Sequence, residues 1–276
     1  MSTWLITGCS TGLGRALAEA VLDADHNAVI TARNADTLVS IAEKYPGSAR
    51  AMPWDVRDHG QAVAVVQDAT DHFGGIDVLV NNAGHGYRSA IEEADPAEVE
   101  ELFGTNFFGP IDLIRQVLPG MRQRRSGTII NVSSIGGRRS SPGSGYYSAT
   151  KFALEGASDG LRKEVAPLGI RVVIVEPGAF RTDFAGRSLL QTAAPIGDYA
   201  GTAGQRRKEN DHTHGTQAGD PARAAQAIIT IAEADNPPLR ILLGTDALNV
   251  VRTELEEQHA EIDAWEQLSR STDFPS

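Results

Sequence analysis

Short runs of β-branched and aliphatic residues recur along this chain, most of them separated by stretches with helical spacing, and that alternation leaves few folds open. The runs are Thr3–Thr7, Asn27–Ala32, Ala49–Asp55, Val78–Asn81, Thr128–Ser133, Arg171–Glu176 and Arg240–Leu243. Between them, Leu13–Ala24, Ala35–Tyr45, Gly60–Phe73 and Phe152–Ala166 place apolar residues every three or four positions, as a helix does when one face is turned to a core. Strands that alternate with helices are joined by crossovers and pair in parallel. A run as apolar as Arg171-Val-Val-Ile-Val-Glu176 predicts a strand covered on both faces. The expected fold is α/β, a doubly wound parallel sheet of about seven strands flanked by helices, with ligands bound beyond the carboxyl ends of the strands.

The chain has 276 residues and is 41% hydrophobic, enough to bury a full core, and no low-complexity stretch divides it. One domain over residues 1–276 is expected. Residues 184–219 turn to Gly, Thr, Gln, His and charged residues with little periodicity; a long insert of that kind in a compact domain reads as a substrate lid. Residues 245–270 read as an acidic helical segment whose Leu248, Val251, Leu255 and Ile262 cover either the domain or a partner subunit.

A formal charge of -11 argues against a nucleic-acid or anionic-membrane partner, because phosphate surfaces are held by clustered positive charge. The basic groups at Arg122, Arg124 and Arg125, at Arg138 and Arg139, and at Arg206 to Lys208 read as solvated surface, although Arg138 and Arg139 can still face a pocket. The single cysteine, Cys9, permits no intramolecular disulfide and no cysteine metal cluster, which suits a reducing compartment such as the cytoplasm. His212 and His214 form the one close histidine pair, without carboxylate or cysteine support, and no metal is expected. No basic and apolar leader opens the sequence, and no apolar run approaches the ~20 residues of a membrane span.

Directly after the first strand stands Thr7-Gly8-Cys9-Ser10-Thr11-Gly12-Leu13-Gly14, which runs straight into a helical pattern. Glycines there let the backbone approach a pyrophosphate, and the helix N-terminus offers free N–H groups and a favourable dipole. In the first βα unit this is a dinucleotide-binding turn of the Rossmann-like kind, with Gly8, Ser10, Thr11, Gly12, Leu13 and Gly14 as binding residues. The end of the second strand, Thr31-Ala32-Arg33-Asn34, selects between the nicotinamide cofactors. A carboxylate there would bind the ribose 2′-OH of NAD; Ala32 stands in its place with Arg33 beside it, a pairing that accepts a 2′-phosphate and favours NADP(H) over NAD(H).

Tyr147-Ser148-Ala149-Thr150-Lys151 opens a helical stretch, so Tyr147 and Lys151 share one face at i and i+4. A nearby ammonium stabilises a phenolate and makes tyrosine a better proton shuttle. Ser134 ends the fifth strand thirteen residues earlier, at the same carboxyl edge as the glycine turn.

With these motifs in order, the chain resembles the short-chain dehydrogenase/reductase family over nearly all of its length. The pattern of Gly8, Gly12 and Gly14, then Asn81-Asn82-Ala83-Gly84, Asn106, Ser134, the Tyr147/Lys151 pair and Pro177-Gly178 carries the resemblance. It implies that Tyr147 is the general acid in carbonyl reduction and the base in alcohol oxidation, with Ser134 bonding the substrate oxygen. It implies further that Lys151 lowers the tyrosine pKa and holds the nicotinamide ribose, and that Asn106 supports a water through which Lys151 is reprotonated. Asp55 and Val56 are implied at the adenine, Asn82, Ala83 and Gly84 along the cofactor cleft, and Pro177, Gly178 and Thr182 around the carboxamide. Relatives pair through the helix near Tyr147, which implies a homodimer or homotetramer. Ser133 is read as a backbone anchor.

Two positions depart from the pattern. Asp25 stands where relatives often have glycine at a helix end, and Trp54 is bulkier than the aliphatic residue expected there. The residues placed to rim the nicotinamide are His85, Tyr87, Gly136, Gly137, Tyr146, Phe180, Phe184, Leu189 and Leu190. This mostly apolar set predicts a hydrophobic or aryl ketone, interconverted with its secondary alcohol. Val175 to Phe184 resembles the branch similar to 17β-hydroxysteroid dehydrogenases. Two other readings stay open, an NAD-linked alcohol dehydrogenase and a catalytically idle NADP-binding regulator. An extended-branch epimerase or dehydratase is disfavoured by the glycine spacing and the short C-terminal region.

Overall fold

Alternate residues of each central strand go to opposite faces of the sheet, and the apolar runs supply a core to both. The computed structural model describes residues 1–213 and 215–274, and the side chains of all of these except 185 and 210–213. The strands are β1 (Thr3–Ile6), β2 (Asn27–Ala32), β3 (Ala49–Pro53), β4 (Val78–Asn81), β5 (Gly86–Arg88), β6 (Gly127–Val132), β7 (Ile170–Pro177), β8 (Leu189–Gln191) and β9 (Arg240–Leu243). The helices are α1 (Gly12–Asp23), α2 (Val39–Lys44), α3 (His59–Phe73), α4 (Pro96–Phe103), α5 (Gly109–Arg124), α6 (Gly145–Val165), α7 (Ala203–Thr213), α8 (Pro221–Glu233) and α9 (Thr245–Arg270).

Seven strands form one parallel sheet in the order β3-β2-β1-β4-β6-β7-β9, the doubly wound Rossmann-like arrangement. Trp4, Ile6, Ile30 and Val80 pack on one face with Leu17 and Val21 of α1 and Ile228 of α8. Leu5, Val29, Leu79 and Ile129 pack on the other with Val65 of α3 and Leu113, Val117 and Met121 of α5. Each fully buried side chain of this size contributes roughly 1.5–3 kcal/mol, so the two layers lock the register of every central strand.

Several elements differ from the reading of the sequence. Ala35–Tyr45 splits into a 3-10 turn, Ala35–Leu38, followed by α2, because the Asn34 side chain accepts a hydrogen bond from Asp36 N–H and tightens the start. Helix α6 begins at Gly145, so Tyr147 and Lys151 lie in its first two turns. Helices α4, α5 and α8 were not singled out, although Asp95-Pro96 and Asp220-Pro221 are cap-and-proline starts: each aspartate accepts from a first-turn N–H.

Residues 184–219 are not structureless. Strand β8 pairs in parallel with β5 away from the main sheet, and α7 follows. A buried Glu93 carboxylate ties this segment down: it accepts from Arg207 at 2.6 Å and from Ile196 N–H at 2.9 Å. The His212 side chain and His214 lie outside the described residues. Helix α9 spans the expected 245–270, with Ala247 and Val251 buried but Leu248, Leu255 and Ile262 exposed. No described helix is long and apolar enough to cross a membrane.

The two departures resolve differently. Trp54 is buried in the α3/α5 layer and donates from Nε1 to the Asp58 carbonyl at 3.2 Å, so its bulk fills space and its polar atom is satisfied. Asp25 follows α1 with φ 59, in the left-handed region where a Cβ is disfavoured. Asp25→Gly is expected to raise the thermal midpoint by about 1–3 °C, a gain of under about 1 kcal/mol; an unchanged or lower midpoint in a calorimetric melt counts against strain there.

Candidate active site

The glycine turn and the turn after β4 are held together at the carboxyl edge of the sheet by one hydroxyl. Thr7 Oγ1 accepts from the backbone N–H groups of Asn82, at 3.0 Å, and Ala83, at 2.9 Å. In return Asn82 Nδ2 donates to the Thr7 and Gly8 carbonyls at 2.8 and 3.2 Å. Gly8 has φ +73, and a Cβ there would lie 2.8 Å from Ala83 Cα; a Cβ on Gly14 would lie 2.3 Å from the Gly8 carbonyl oxygen. Thr11 caps α1 without a side-chain hydrogen bond, so its hydroxyl satisfies none of the first-turn N–H groups, and Gly12, Leu13 and Gly14 of that turn line the cleft. This is a cradle of the form that holds a pyrophosphate. Cys9 is buried, its thiol pushed up to about 12, and takes no part.

A cleft of about 860 Å³ runs along this edge. Its walls include Gly8, Ser10, Thr11, Gly12, Leu13, Gly14, Arg33, Asp55, Val56, Asn82, Ala83, Gly84, Ser134, Tyr147, Lys151, Pro177, Gly178 and Thr182, which brings together every candidate site residue except Asn106. Arg33 is exposed at the end of β2. Close by, Asp55 is ion-paired to Arg57 at 2.7 Å, and the hydrogen bond from Arg57 holds its carboxyl below the usual range despite partial burial. Arg57 was missed in the sequence, though its place two residues after Asp55 was the available signal. Gly178 admits the Asp246 carboxylate, whose Oδ2 accepts from Ala179 N–H at 2.7 Å; a Cβ on Gly178 would lie 2.3 Å from Asp246 Oδ1.

At the far end of the cleft, Tyr147 is 8% exposed. Burial raises its pKa, opposed by a hydrogen bond with Ser134 and by the positive charge of Arg88. Ser134 Oγ also accepts from Gly136 N–H at 3.0 Å. Lys151 stands one turn further along α6. Its Nζ lies 5.9 Å from the Tyr147 ring centre and donates to the Val132 carbonyl at 2.9 Å, and burial lowers the ammonium to about 8. After the Ser134 hydrogen bond, the positive charge of Arg88 also lowers the Tyr147 pKa.

Asn106 sits behind the cleft wall, fully buried in a π-helical turn, Gly104–Phe108. Its Oδ1 accepts from His85 N–H at 3.0 Å, and its Nδ2 donates to the His85 carbonyl at 2.9 Å and Thr150 Oγ1 at 3.2 Å. Its side chain therefore braces the loop after β4 against α6. Ser133 N–H donates to the Val175 carbonyl at 2.8 Å. Of the predicted rim, His85, Gly136, Phe180, Phe184 and Leu190 line the cleft, whereas Tyr87 is buried behind it and Gly137, Tyr146 and Leu189 do not reach the wall. Arg139, which the sequence allowed to face a pocket, does reach it, and so do Arg88 and Arg206, which the sequence did not place there. Arg138 instead pairs with the buried Glu176 at 3.2 Å, behind the site.

Residues 2–192 match the short chain dehydrogenase family. The chain is 36% identical over 268 residues to Oxidoreductase BOA17 of Botryotinia fuckeliana, covering 96% of this chain and 97% of that protein. A crystal structure of a short-chain dehydrogenase from Streptomyces avermitilis superposes with TM-score 0.93 at 43% identity, covering 99% and 98% of the two chains. ElxO, solved with NADP bound, superposes with TM-score 0.74 at 26% identity, covering 90% of this chain and 100% of that one. The chain belongs to the short-chain dehydrogenase/reductase family of oxidoreductases.

The buried ammonium predicts a pH dependence of stability. Between about pH 8 and its ordinary 10.5, the unfolded chain keeps a proton on Lys151 that the folded protein lacks, so this site's contribution to stability rises with pH across that window. In urea melts, the wild type should gain on Lys151→Met by about 3 kcal/mol at most over that range; parallel curves would contradict the burial argument.

Proposed function

We propose that the protein is an NADP(H)-preferring oxidoreductase that interconverts a hydrophobic ketone and its secondary alcohol, with Tyr147 as proton donor and acceptor. The observation that carries this reading is the single cleft in which the glycine cradle, Arg33 and the Ser134–Tyr147–Lys151 set meet. ElxO, a relative in fold, was solved with NADP, which supports the cofactor class.

The residues fit the cofactor: the cradle takes the pyrophosphate, Arg33 a 2′-phosphate, Asp55 and Val56 the adenine side, and Pro177, Gly178 and Thr182 the carboxamide. When bound, the reduced nicotinamide supplies hydride to the carbonyl carbon. Ser134 donates to the carbonyl oxygen as negative charge grows on it. Tyr147, kept as the neutral phenol by burial, delivers its hydroxyl proton to the same oxygen and completes the alcohol. Lys151, charged at neutral pH, faces the site from the next turn of α6 and holds the ribose, and Asn106 positions that wall. In oxidation each proton runs the other way.

Residues 184–219 serve as the lid of this one-domain enzyme: Phe184 lies 5.8 Å from the Tyr147 ring and shields it from water. A cytoplasmic homodimer or homotetramer completes the reading. Tyr147→Phe is expected to lower kcat for ketone reduction by about 100-fold or more while NADP still binds; most activity retained would remove Tyr147 from the chemistry. Arg33→Ala should weaken NADPH by about 10- to 100-fold and NADH far less, read from Kd values by fluorescence titration. Equal losses would shift the reading to the NAD-linked alternative.

A further inference from the structure

The cleft beside Tyr147 contains a buried cation for which the proposed reaction supplies no ligand. Arg88 ends β5, is 8% exposed, and lines the cleft. Its Nη1 donates to Ser144 Oγ at 2.8 Å, while its Nε is buried and makes no hydrogen bond among the described residues. No described acidic side chain forms an ion pair with it. Burying a guanidinium is costly unless a counter-charge meets it. Ser144 is a neutral partner and cannot supply one.

A second guanidinium aggravates the imbalance. Arg206, reaching the same cleft from α7, pairs through Nη1 with Glu209 at 2.8 Å, and its own Nε is likewise buried without a partner. Burial pushes Arg88 down to about 10, and the Arg206 charge pushes it the same way; Glu209, already paired with Arg206, opposes this only in part, one carboxylate against two guanidiniums. At neutral pH both remain charged. Two cations held in one pocket from two different elements, with their Nε groups unspent, are relieved by an anion between them. The flat donor edge of a guanidinium matches a carboxylate. Around that point Phe184 and Leu190 leave an apolar wall for the rest of the molecule.

We infer that the substrate is an oxo acid: a ketone with an apolar body and a carboxylate near the carbonyl, the carboxylate bound by Arg88 with Arg206 across from it. The inference rests on the proposed ketone reduction, and it narrows the substrate class from hydrophobic ketones to those carrying an anion. The cleft then has two poles. Arg33 sits at the cofactor end and Arg88 at the substrate end, and the carboxylate fixes which face of the carbonyl meets Tyr147.

The test compares benzoylformate and levulinate, each against its methyl ester, as substrates with NADPH, in the wild type, Arg88→Gln and Arg88→Lys. The wild type should prefer at least one acid over its ester by about 10-fold or more in kcat/KM. Arg88→Gln should cut that acid-to-ester ratio by about 10- to 100-fold, and Arg88→Lys by less. The ratio isolates carboxylate binding, because any effect of Arg88 on Tyr147 strikes acid and ester alike. A wild type that favours both esters or treats each pair equally overturns the inference, and that result needs no variant to fold. Should neither acid nor ester be reduced, the proposed function fails while the inference is still decided by calorimetric titration of mandelate into NADP-saturated protein. Binding in the wild type that is lost in Arg88→Gln and partly kept in Arg88→Lys supports the anion site; no binding in the wild type removes it.

Discussion

The Thr7 hydroxyl, accepting from two backbone N–H groups of the neighbouring turn, is the contact on which the rest of the site depends. It joins the ends of β1 and β4, the two strands between which the sheet order changes direction. Without that clasp the glycine turn would have no fixed distance from the Asn82–Gly84 turn, and the cleft between them would have no definite floor. The glycines follow from the same closeness, since Gly8 and Gly14 stand where a Cβ would meet backbone atoms of the clasp or of its partner turn. A parallel sheet puts every such turn at one edge, so one local tie organises a long cleft.

Charge is unusually costly along this cleft, and that gives the site its chemistry. Lys151, Tyr147 and Arg88 are all nearly buried, and burial works against the charged form of each. The tyrosine is thereby kept as an acid, and the ammonium is weakened. The Arg88 charge acts on the phenol from the substrate side. Behind the site Glu176, raised to about 7 by burial, is met by Arg138, whereas Arg88 in the cleft has only the neutral Ser144 hydroxyl as its hydrogen-bond partner among the described residues.

Residues 184–219 show why composition misleads about order. Their polar, aperiodic sequence reads as a bare loop, yet β8 adds to β5 and α7 is tied through Arg207 to Glu93, 114 residues earlier. Neither partner is visible locally: a three-residue strand carries no periodicity, and an ion pair between distant residues carries no spacing. The same segment delivers Phe184 to Tyr147 and Arg206 to the cleft. An arginine counted as surface charge in the sequence becomes a wall of the pocket.

The sequence by itself determined the strand order of chemistry along the chain. The apolar runs set the layers of the sheet, the glycine spacing set the cradle, and the i,i+4 pair set Tyr147 and Lys151 on one face, because each of these is a matter of local periodicity or backbone freedom. Only the tertiary structure decided which charges share the cleft. Arg57, Arg88 and Arg206 come from separate connections and meet through burial, and one of the charges that lowers the Tyr147 pKa, beside the Ser134 hydrogen bond, stands 59 positions away in the chain at Arg88. Electrostatics acts through space and depends on desolvation, and neither distance nor burial is written in the order of residues.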